Sequence, residues 1–249
     1  MSGVFHIDEE AYDDFMGRYS MRLAPLFADF AGVRAGQRLL DVGAGTGALT
    51  RELVRRGSDV VAVEPSPMFT RALRSRFPEM EVHEAPAESL PFDDDVFDVA
   101  LAQLVVAFMA DAPAAIRELT RVARTVAVCM WGIAEMQMFA AIDHTAAVIG
   151  AERAEPRARL YRTLPELVAL LEPHGEVETA ELDVVAGYEG FDDFWSALGR
   201  QVGPAGAWLH GLDDERRAAA REELHSYFGN PDGRFELWGR AFAARVTRA

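Results

Sequence analysis

Apolar positions along the first half of the chain switch repeatedly between a helical and an extended period. From Glu9 to Gly32, residues Phe15, Tyr19, Leu23, Leu26, Phe27 and Phe30 recur at helical spacing, which predicts one or two helices before the first strand. Arg38–Val42 then reads as a strand, followed by a turn holding Gly43, Gly45 and Gly47 and by a helix from about Ala48 to Arg56. A second strand, Asp59–Val63, ends in Glu64, and a helix covers Pro67–Arg76. Met80–His83 is a short strand, and Phe97–Leu104 is apolar without a break, as a strand covered on both faces should be. A helix at Ala112–Val122 and a strand at Thr125–Trp131 complete the rhythm. Strands alternating with helices in this way predict an α/β fold with a doubly wound parallel sheet. Its ligand crevice lies beyond the C-terminal ends of the strands.

After Trp131 the pattern loosens. Helices are expected at Ile133–Ile149, Leu164–Leu171, Phe191–Val202 and Asp213–Phe228, and strands at Glu176–Ala186 and Phe235–Val246. The two late strands form an edge hairpin from which Gly187–Gly233 is an excursion, with Gly203–Gly211 as a loop over the ligand side. No linker or internal repeat interrupts the 249 residues, so one domain is expected.

Composition narrows the chemistry. The formal net charge of −15 opposes binding to a phosphate backbone. All 25 basic residues are arginine, which excludes a catalytic lysine. A single cysteine, Cys129, excludes an intrachain disulfide and a multi-cysteine zinc site. The acidic start MSGVFHIDEEAYDD lacks the basic and apolar regions of a signal peptide, and the apolar run Val99–Met109 is too short to span a bilayer. A cytoplasmic setting without a membrane partner is the expectation.

The glycine turn carries the first functional signal. Three glycines allow a sharp bend and a close backbone approach, and the helix start that follows suits an anionic group. Glu64 lies 21 positions beyond Gly43, where an acid in such folds accepts from both ribose hydroxyls of an adenosine. NAD and S-adenosylmethionine both satisfy these features, and GAGTGA meets the loose dinucleotide pattern with Ala48 in its last place. Asp41 separates them. A carboxylate two residues before the first glycine repels a pyrophosphate and favours an ammonium.

LLDVGAGTG, VVAVEPSPMF, AESLPFDDDVFDVALAQ and AAIRELTRVART, in this order, resemble the motifs of class I S-adenosylmethionine-dependent methyltransferases of the ubiquinone/menaquinone-methyltransferase-like superfamily. The resemblance covers about Tyr12–Trp131. It implies a Rossmann-like, seven-stranded, mostly parallel sheet with helices on both faces, an N-terminal helical flap (1–35), a cofactor-binding core (36–131) and an acceptor-side half (132–249) with a helical lid insertion at 187–233. It implies S-adenosylmethionine as cofactor, S-adenosylhomocysteine as product and no metal. Backbone at Gly43, Ala44, Gly45 and Gly47 would approach the methionyl part, with Asp41 on its amino group. Glu64 would hold the ribose, with Pro65, Ser66 and Met68 at the adenine. Ala87 would meet the adenine edge, and Gln103 and Leu104 would line the methionyl side. Pro86 stands where many relatives carry an aspartate for the adenine amino group, and Glu88 is the substitute offered by this sequence. In the flap, Tyr12, Arg18 and Tyr19 are candidates to reach the ligand.

Methyl transfer is an in-line displacement that needs alignment more than a fixed triad. A general base has two candidates here, His144 and His210. The aromatics Phe139, Tyr161, Tyr188, Phe191, Phe194, Trp195 and Trp208 form either ordinary core or an apolar acceptor pocket for a small molecule. AQLVVAF occupies the place of the Pro-Pro-aromatic motif of enzymes that methylate amino groups of nucleic-acid bases. The expected activity is methylation of an O, N or C atom of a small, apolar or aromatic metabolite. Two alternatives stand beside it: a non-catalytic S-adenosylmethionine-binding module and an NAD-dependent oxidoreductase.

Overall fold

Strand β1, Arg38–Val42, is buried from Leu39 onward and pairs in parallel with β2, Asp59–Val63, on one side and with β4, Phe97–Gln103, on the other. These and the following contacts are those of a computed structural model that describes residues 9–151, 160–200 and 203–248. The short strand β3, Glu81–His83, lies outside β2, and β5, Ala123–Met136, lies beyond β4, both in parallel. With β6, Val177–Tyr188, and β7, Phe235–Thr247, the sheet has seven strands in the order β3-β2-β1-β4-β5-β7-β6. The order reverses between β1 and β4, and in open α/β sheets ligands bind beyond the strands' C-terminal ends at such a switch point. Thr125 near the start of β5 meets Thr247 near the end of β7 at 3.1 Å, so β7 runs against β5. Arg240 and Arg245 of β7 bind Asp183 and Glu178 of β6, so this outer pair is antiparallel as well.

Ten α-helices accompany the strands among the described residues. A helical run opens with α1, Glu9–Tyr12, passes through a π-helical turn at Asp13–Gly17 and continues as α2, Arg18–Phe30. Phe15, Tyr19, Leu23 and Phe27, each one turn after the last, form its buried stripe. Helices α3, Ala48–Arg55, and α4, Pro67–Arg76, follow β1 and β2, and α5, Ala112–Val122, follows β4. Helix α6 is Gln137–Val148, α7 is Leu164–Leu171, and α8, Phe191–Gly199, α9, Gly203–His210, and α10, Asp214–Tyr227, lie between β6 and β7.

Two expectations need correction. Ile133–Met136 continues β5 rather than opening a helix, because the side chain of Met136 packs against bare Gly239 of β7, where a Cβ would sit 3.0 Å from its Cε. Gly203–His210 is helix rather than loop, with Leu209 buried and the Trp208 indole N–H donating to the Ala151 carbonyl at 2.8 Å. The first eight residues of the N-terminal flap, and Gln201 and Val202 at the end of the helix expected over Phe191–Val202, lie outside the described residues.

The chain divides into two compact units. One comprises Ser20–Gly132, Ala158–Asp183 and Arg240–Ala249. In it Leu40, Val42, Val61, Val63, Ala100, Ala102, Val126 and Val128 line one face of the sheet, packed with Ile116 and Leu119 of α5 and Leu167 and Leu171 of α7. Their alternation is that of strands in which every second residue shares a face. The other unit comprises Met1–Tyr19, Ile133–Arg157 and Val184–Gly239. Its centre is aromatic. Tyr188 packs on Phe194 and Phe235 at 5.3 and 5.4 Å between ring centres, and Phe194 meets Phe228 at 5.1 Å. Among the described residues no helix is long and apolar enough to cross a membrane, and no three His, Cys, Asp or Glu side chains gather as metal ligands.

Candidate functional site

The bend after β1 is stitched to the end of β2. Gly43 and Ala44 both donate backbone N–H groups to the Val63 carbonyl, at 2.7 and 3.2 Å. Gly43, Gly45 and Gly47 all have positive φ, at 68°, 56° and 89°, a region costly for residues with a Cβ. Their surroundings differ. A Cβ on Gly43 would sit 2.8 Å from Val105, and one on Gly47 would sit 2.7 Å from the Phe77 ring, so both are bare because neighbours press on them. A Cβ on Gly45 would find only the Gly43 carbonyl, at 4.0 Å. Gly45 therefore faces open space at the tip of the bend.

Glu64 closes the site from β2. Its carboxylate accepts from Gly45 N–H through Oε2 and from Ser66 N–H through Oε1, both at 2.9 Å. Thr70 donates its hydroxyl to the Glu64 carbonyl at 3.0 Å, which fixes the residue to the first turn of α4. Only 6% of Glu64 is exposed. Burial pushes its carboxyl above the usual range, and the two N–H groups pull it part of the way back. Each carboxylate oxygen keeps a further lone pair beyond the bond it accepts.

Asp41 sits deeper. It is 1% exposed and accepts from the Thr50 hydroxyl at 2.6 Å, with the Thr50 backbone N–H as a second donor, near the positive N-terminal end of α3. Burial raises its carboxyl to about 7 against the pull of Thr50, and the negative charge of Glu64 adds to the rise. Two buried carboxylates thus stand on adjacent strands below the bend. In a low-dielectric site they favour a cation and disfavour an anion.

At the end of β4, Leu104 adopts φ +64° with its N–H on the Cys129 carbonyl at 2.9 Å. Gln103 before it is 8% exposed, donates Nε2 to the Ser20 carbonyl at 3.2 Å, and leaves Oε1 buried with no hydrogen-bond partner. Ala87 is buried in the core with α5. Glu88 gives Oε1 to the N–H groups of Ala110 and Asp111, at 2.7 and 3.1 Å, and so anchors the loop before α5. Pro65 is exposed, and Ser66 and Met68 are half-buried at the start of α4.

In the aromatic unit, Arg18 pairs through its two terminal guanidinium nitrogens with Asp193, at 2.7 and 2.6 Å, over the Tyr188 ring at 4.9 Å. This pairing raises the guanidinium and holds the Asp193 carboxyl below its usual range. The Tyr188 hydroxyl donates to that of fully buried Tyr19 at 3.3 Å. Tyr12 ends α1 and is half-buried. His144 is half-exposed on α6 and meets Glu223 of α10 at 3.1 Å, and His210 is exposed at the end of α9.

The structure thus gathers Asp41, Gly43, Ala44, Gly45, Gly47, Glu64 and Ser66 around one bend, with Gln103 and Leu104 at the next strand end. Sequence reasoning missed the residues that shape it. These are Thr50 under Asp41, Val105 against Gly43, Phe77 against Gly47, and Arg76, whose guanidinium donates to the Thr46 carbonyl at 2.6 Å. Thr50 alone had a local signal, a hydroxyl in the first turn of the helix after the glycines.

A family model described as "Methyltransferase domain" matches residues 40–130, which contain the bend, Glu64 and Gln103. An uncharacterized methyltransferase of Mycobacterium tuberculosis is 43% identical over 90 residues, 36% of this chain and 37% of that relative. A malonyl-acyl-carrier-protein O-methyltransferase of Halorhodospira halophila is 38% identical over 91 residues, 34% of this chain and 31% of the relative. The matched stretch thus spans about a third of the length of these curated relatives. Among solved structures, a proposed type II methyltransferase of Anaeromyxobacter dehalogenans superposes with a TM-score of 0.68 at 22% identity, covering 90% of this chain and 95% of that one. A 4+2 cyclase shares the fold with a TM-score of 0.54 at 19% identity, covering 92% of this chain and 82% of that one. Residues 40–130 thus match a methyltransferase-domain family, and the chain shares its α/β fold with solved structures described as methyltransferases.

Proposed function

We propose that the chain moves a methyl group from S-adenosylmethionine to an oxygen, nitrogen or carbon atom of a small, apolar or aromatic metabolite. The observation that carries the cofactor half of this reading is Gly45. Its N–H is held by Glu64 while its Cβ position opens on space, so a nucleoside can approach the backbone without collision. The remaining donors and acceptors fit the same group. Glu64 keeps lone pairs for ribose hydroxyls, Gln103 Oε1 is a buried acceptor in want of a donor, and the two carboxylates favour a cationic ligand.

S-Adenosylmethionine, when bound, supplies a methyl group on a sulfonium that is already activated for in-line displacement. The chain's part is to hold and to exclude water. Gly43–Gly47 carries the close approach, Glu64 orients the ribose, Ser66 and Met68 border the adenine, and Leu104 keeps the end of β4 in its positive-φ bend. Asp41 acts through its field and through Thr50, which it ties to the bend.

The acceptor half carries forward the expectation read from the sequence; Tyr188, Phe191 and Phe194 themselves are buried and pack on one another and on Phe228 and Phe235 as the core of their unit. The net charge of −15 argues against a nucleic-acid acceptor. A cytoplasmic setting belongs to the same proposal. One relative is by name an O-methyltransferase of a malonyl carrier, so oxygen acceptors belong first in a screen. A second reading, chemistry other than methyl transfer, is supported by the cyclase that shares this fold.

The test is release of S-adenosylhomocysteine from S-adenosylmethionine across a library of phenols, carboxylic acids, amines and activated carbon acids. Stimulation at least tenfold over the acceptor-free rate by one apolar class is the expected result. Nucleoside binding without stimulation by any class would replace the enzyme reading with a binding module.

A further inference from the structure

Beyond Leu104 the chain passes through Val105, the residue that presses on Gly43, into a 3₁₀ turn at Val106–Phe108, with the Phe108 N–H on the Val105 carbonyl at 2.8 Å. Phe108 is a large apolar ring left 56% exposed, one turn from the wall of the bend. Arg162, from the segment before α7, lies against it, with the guanidinium carbon 6.0 Å from the ring centre. All these residues belong to the same compact unit as the bend. Just before Arg162, Tyr161 adopts φ +62°, an outlier for a bulky side chain. Tyr161 packs with Leu164 against the sheet core, while the next residue reaches Phe108. Strained positions of this kind gather at ligand clamps. Glu166 accepts from the N–H groups of Arg162 and Thr163, at 2.8 and 3.1 Å, in capping α7. Arg162 itself is half-buried, so its charge is costly, and Glu166 offsets only part of that cost. A guanidinium carries five N–H donors in a planar fork, enough to take a carboxylate beside contacts within the chain.

We propose that Arg162 and Phe108 anchor the methyl acceptor: the guanidinium holds a carboxylate of that molecule and the exposed ring carries its apolar body. This role rests on the bend being the S-adenosylmethionine site, and it narrows the acceptor to apolar or aromatic carboxylic acids. The charges around the bend then sort by ligand. Asp41 and Glu64 favour the cationic cofactor, and Arg162 favours the anionic acceptor. A chain of net charge −15 repels an anion at a distance, so capture of an acid needs a cation at the site itself. Arg162 is thus a specificity-determining residue.

The test is calorimetry with matched acids and primary amides: benzoate and benzamide, phenylacetate and phenylacetamide, cinnamate and cinnamamide, octanoate and octanamide. Each is titrated into wild type, Arg162→Met and Arg162→Lys saturated with S-adenosylhomocysteine. Wild type should bind an acid about 10- to 100-fold more tightly than its amide, the range for a charge-assisted pair. In Arg162→Met that preference should fall to within about threefold, with affinity for the amide and for S-adenosylhomocysteine unchanged. Arg162→Lys keeps the charge without the fork and should retain an intermediate preference. Preference for no acid in wild type, or a preference that survives Arg162→Met, would overturn the proposal. Should Arg162→Met fail to fold, a reduced preference in Arg162→Lys supports the assignment and an undiminished one overturns it. If wild type does not bind S-adenosylhomocysteine, the cofactor reading falls and this assignment with it. Binding of S-adenosylhomocysteine without any preference for acids overturns the assignment alone.

Discussion

Replacing Asp41 by asparagine isolates the free-energy cost of a charge buried under the bend. The carboxyl shifts from an ordinary 3.8 to about 7, chiefly by burial. A shift of this size corresponds to about 4 kcal/mol against the ionised form in the folded protein. The sign follows from proton linkage. Between the two values the folded state binds a proton that the unfolded state releases, so stability falls as pH rises from about 4 to about 7, then levels off. Asparagine keeps an acceptor for the Thr50 hydroxyl and carries no charge. The stability advantage of Asp41→Asn over wild type should therefore grow by about 2 to 3 kcal/mol between pH 5 and pH 8, obtained by linking the two pKa values across that interval. Urea unfolding of both proteins at pH 5, 6, 7 and 8 without ligand measures it, since the other carboxylates are shared and largely cancel in the difference. A difference that stays constant with pH would show that Asp41 is ionised at little cost, and would refute the burial argument.

Three further outcomes follow from the same geometry. Gly47→Ala should destabilise by about 2 to 4 kcal/mol, because positive φ and contact with Phe77 act together, whereas Gly45→Ala should cost about 1 kcal/mol. Titration with S-adenosylhomocysteine should nevertheless find Gly45→Ala the poorer binder relative to its stability, since its methyl points into open space. Glu64→Ala should weaken that ligand by about 1.5 to 3 kcal/mol, and unchanged affinity would remove Glu64 from the ribose. A double-mutant cycle of Arg18→Ala and Asp193→Ala should give about 1 kcal/mol of coupling in thermal or urea unfolding, modest because both side chains keep a quarter of their surface in water. Asp193 titrates below its usual range, so this coupling should be present at neutral pH and vanish as the solution is acidified through that lowered value.

The bend was legible in the sequence because glycine, strand and acid each have a local signature. Three glycines directly after an apolar strand admit few other conformations, and Glu64 closes the next strand at the distance this fold requires. Partners far along the chain left no such signature. Arg18 is followed 175 positions later by the carboxylate that holds it, and the tyrosine-rich segment around it reads equally well as a ligand contact. Asp41 carried the right charge for an ammonium, and the structure adds that it accepts from the Thr50 hydroxyl. The extension of β5 was masked by Ala and Met, good helix formers, while its strand partner lies about a hundred residues away. In Gly203–His210 two glycines and a proline suggested a loop, although proline suits the first turn of a helix, where its missing N–H is not needed.

A nucleoside bearing a cationic arm is expected to seat against the bare backbone of Gly45. Parallel titration of the purified chain with S-adenosylhomocysteine and with NAD tests this most directly. Saturable one-to-one binding of the first and none of the second is the predicted result. Tight NAD binding with no response to S-adenosylhomocysteine would contradict it.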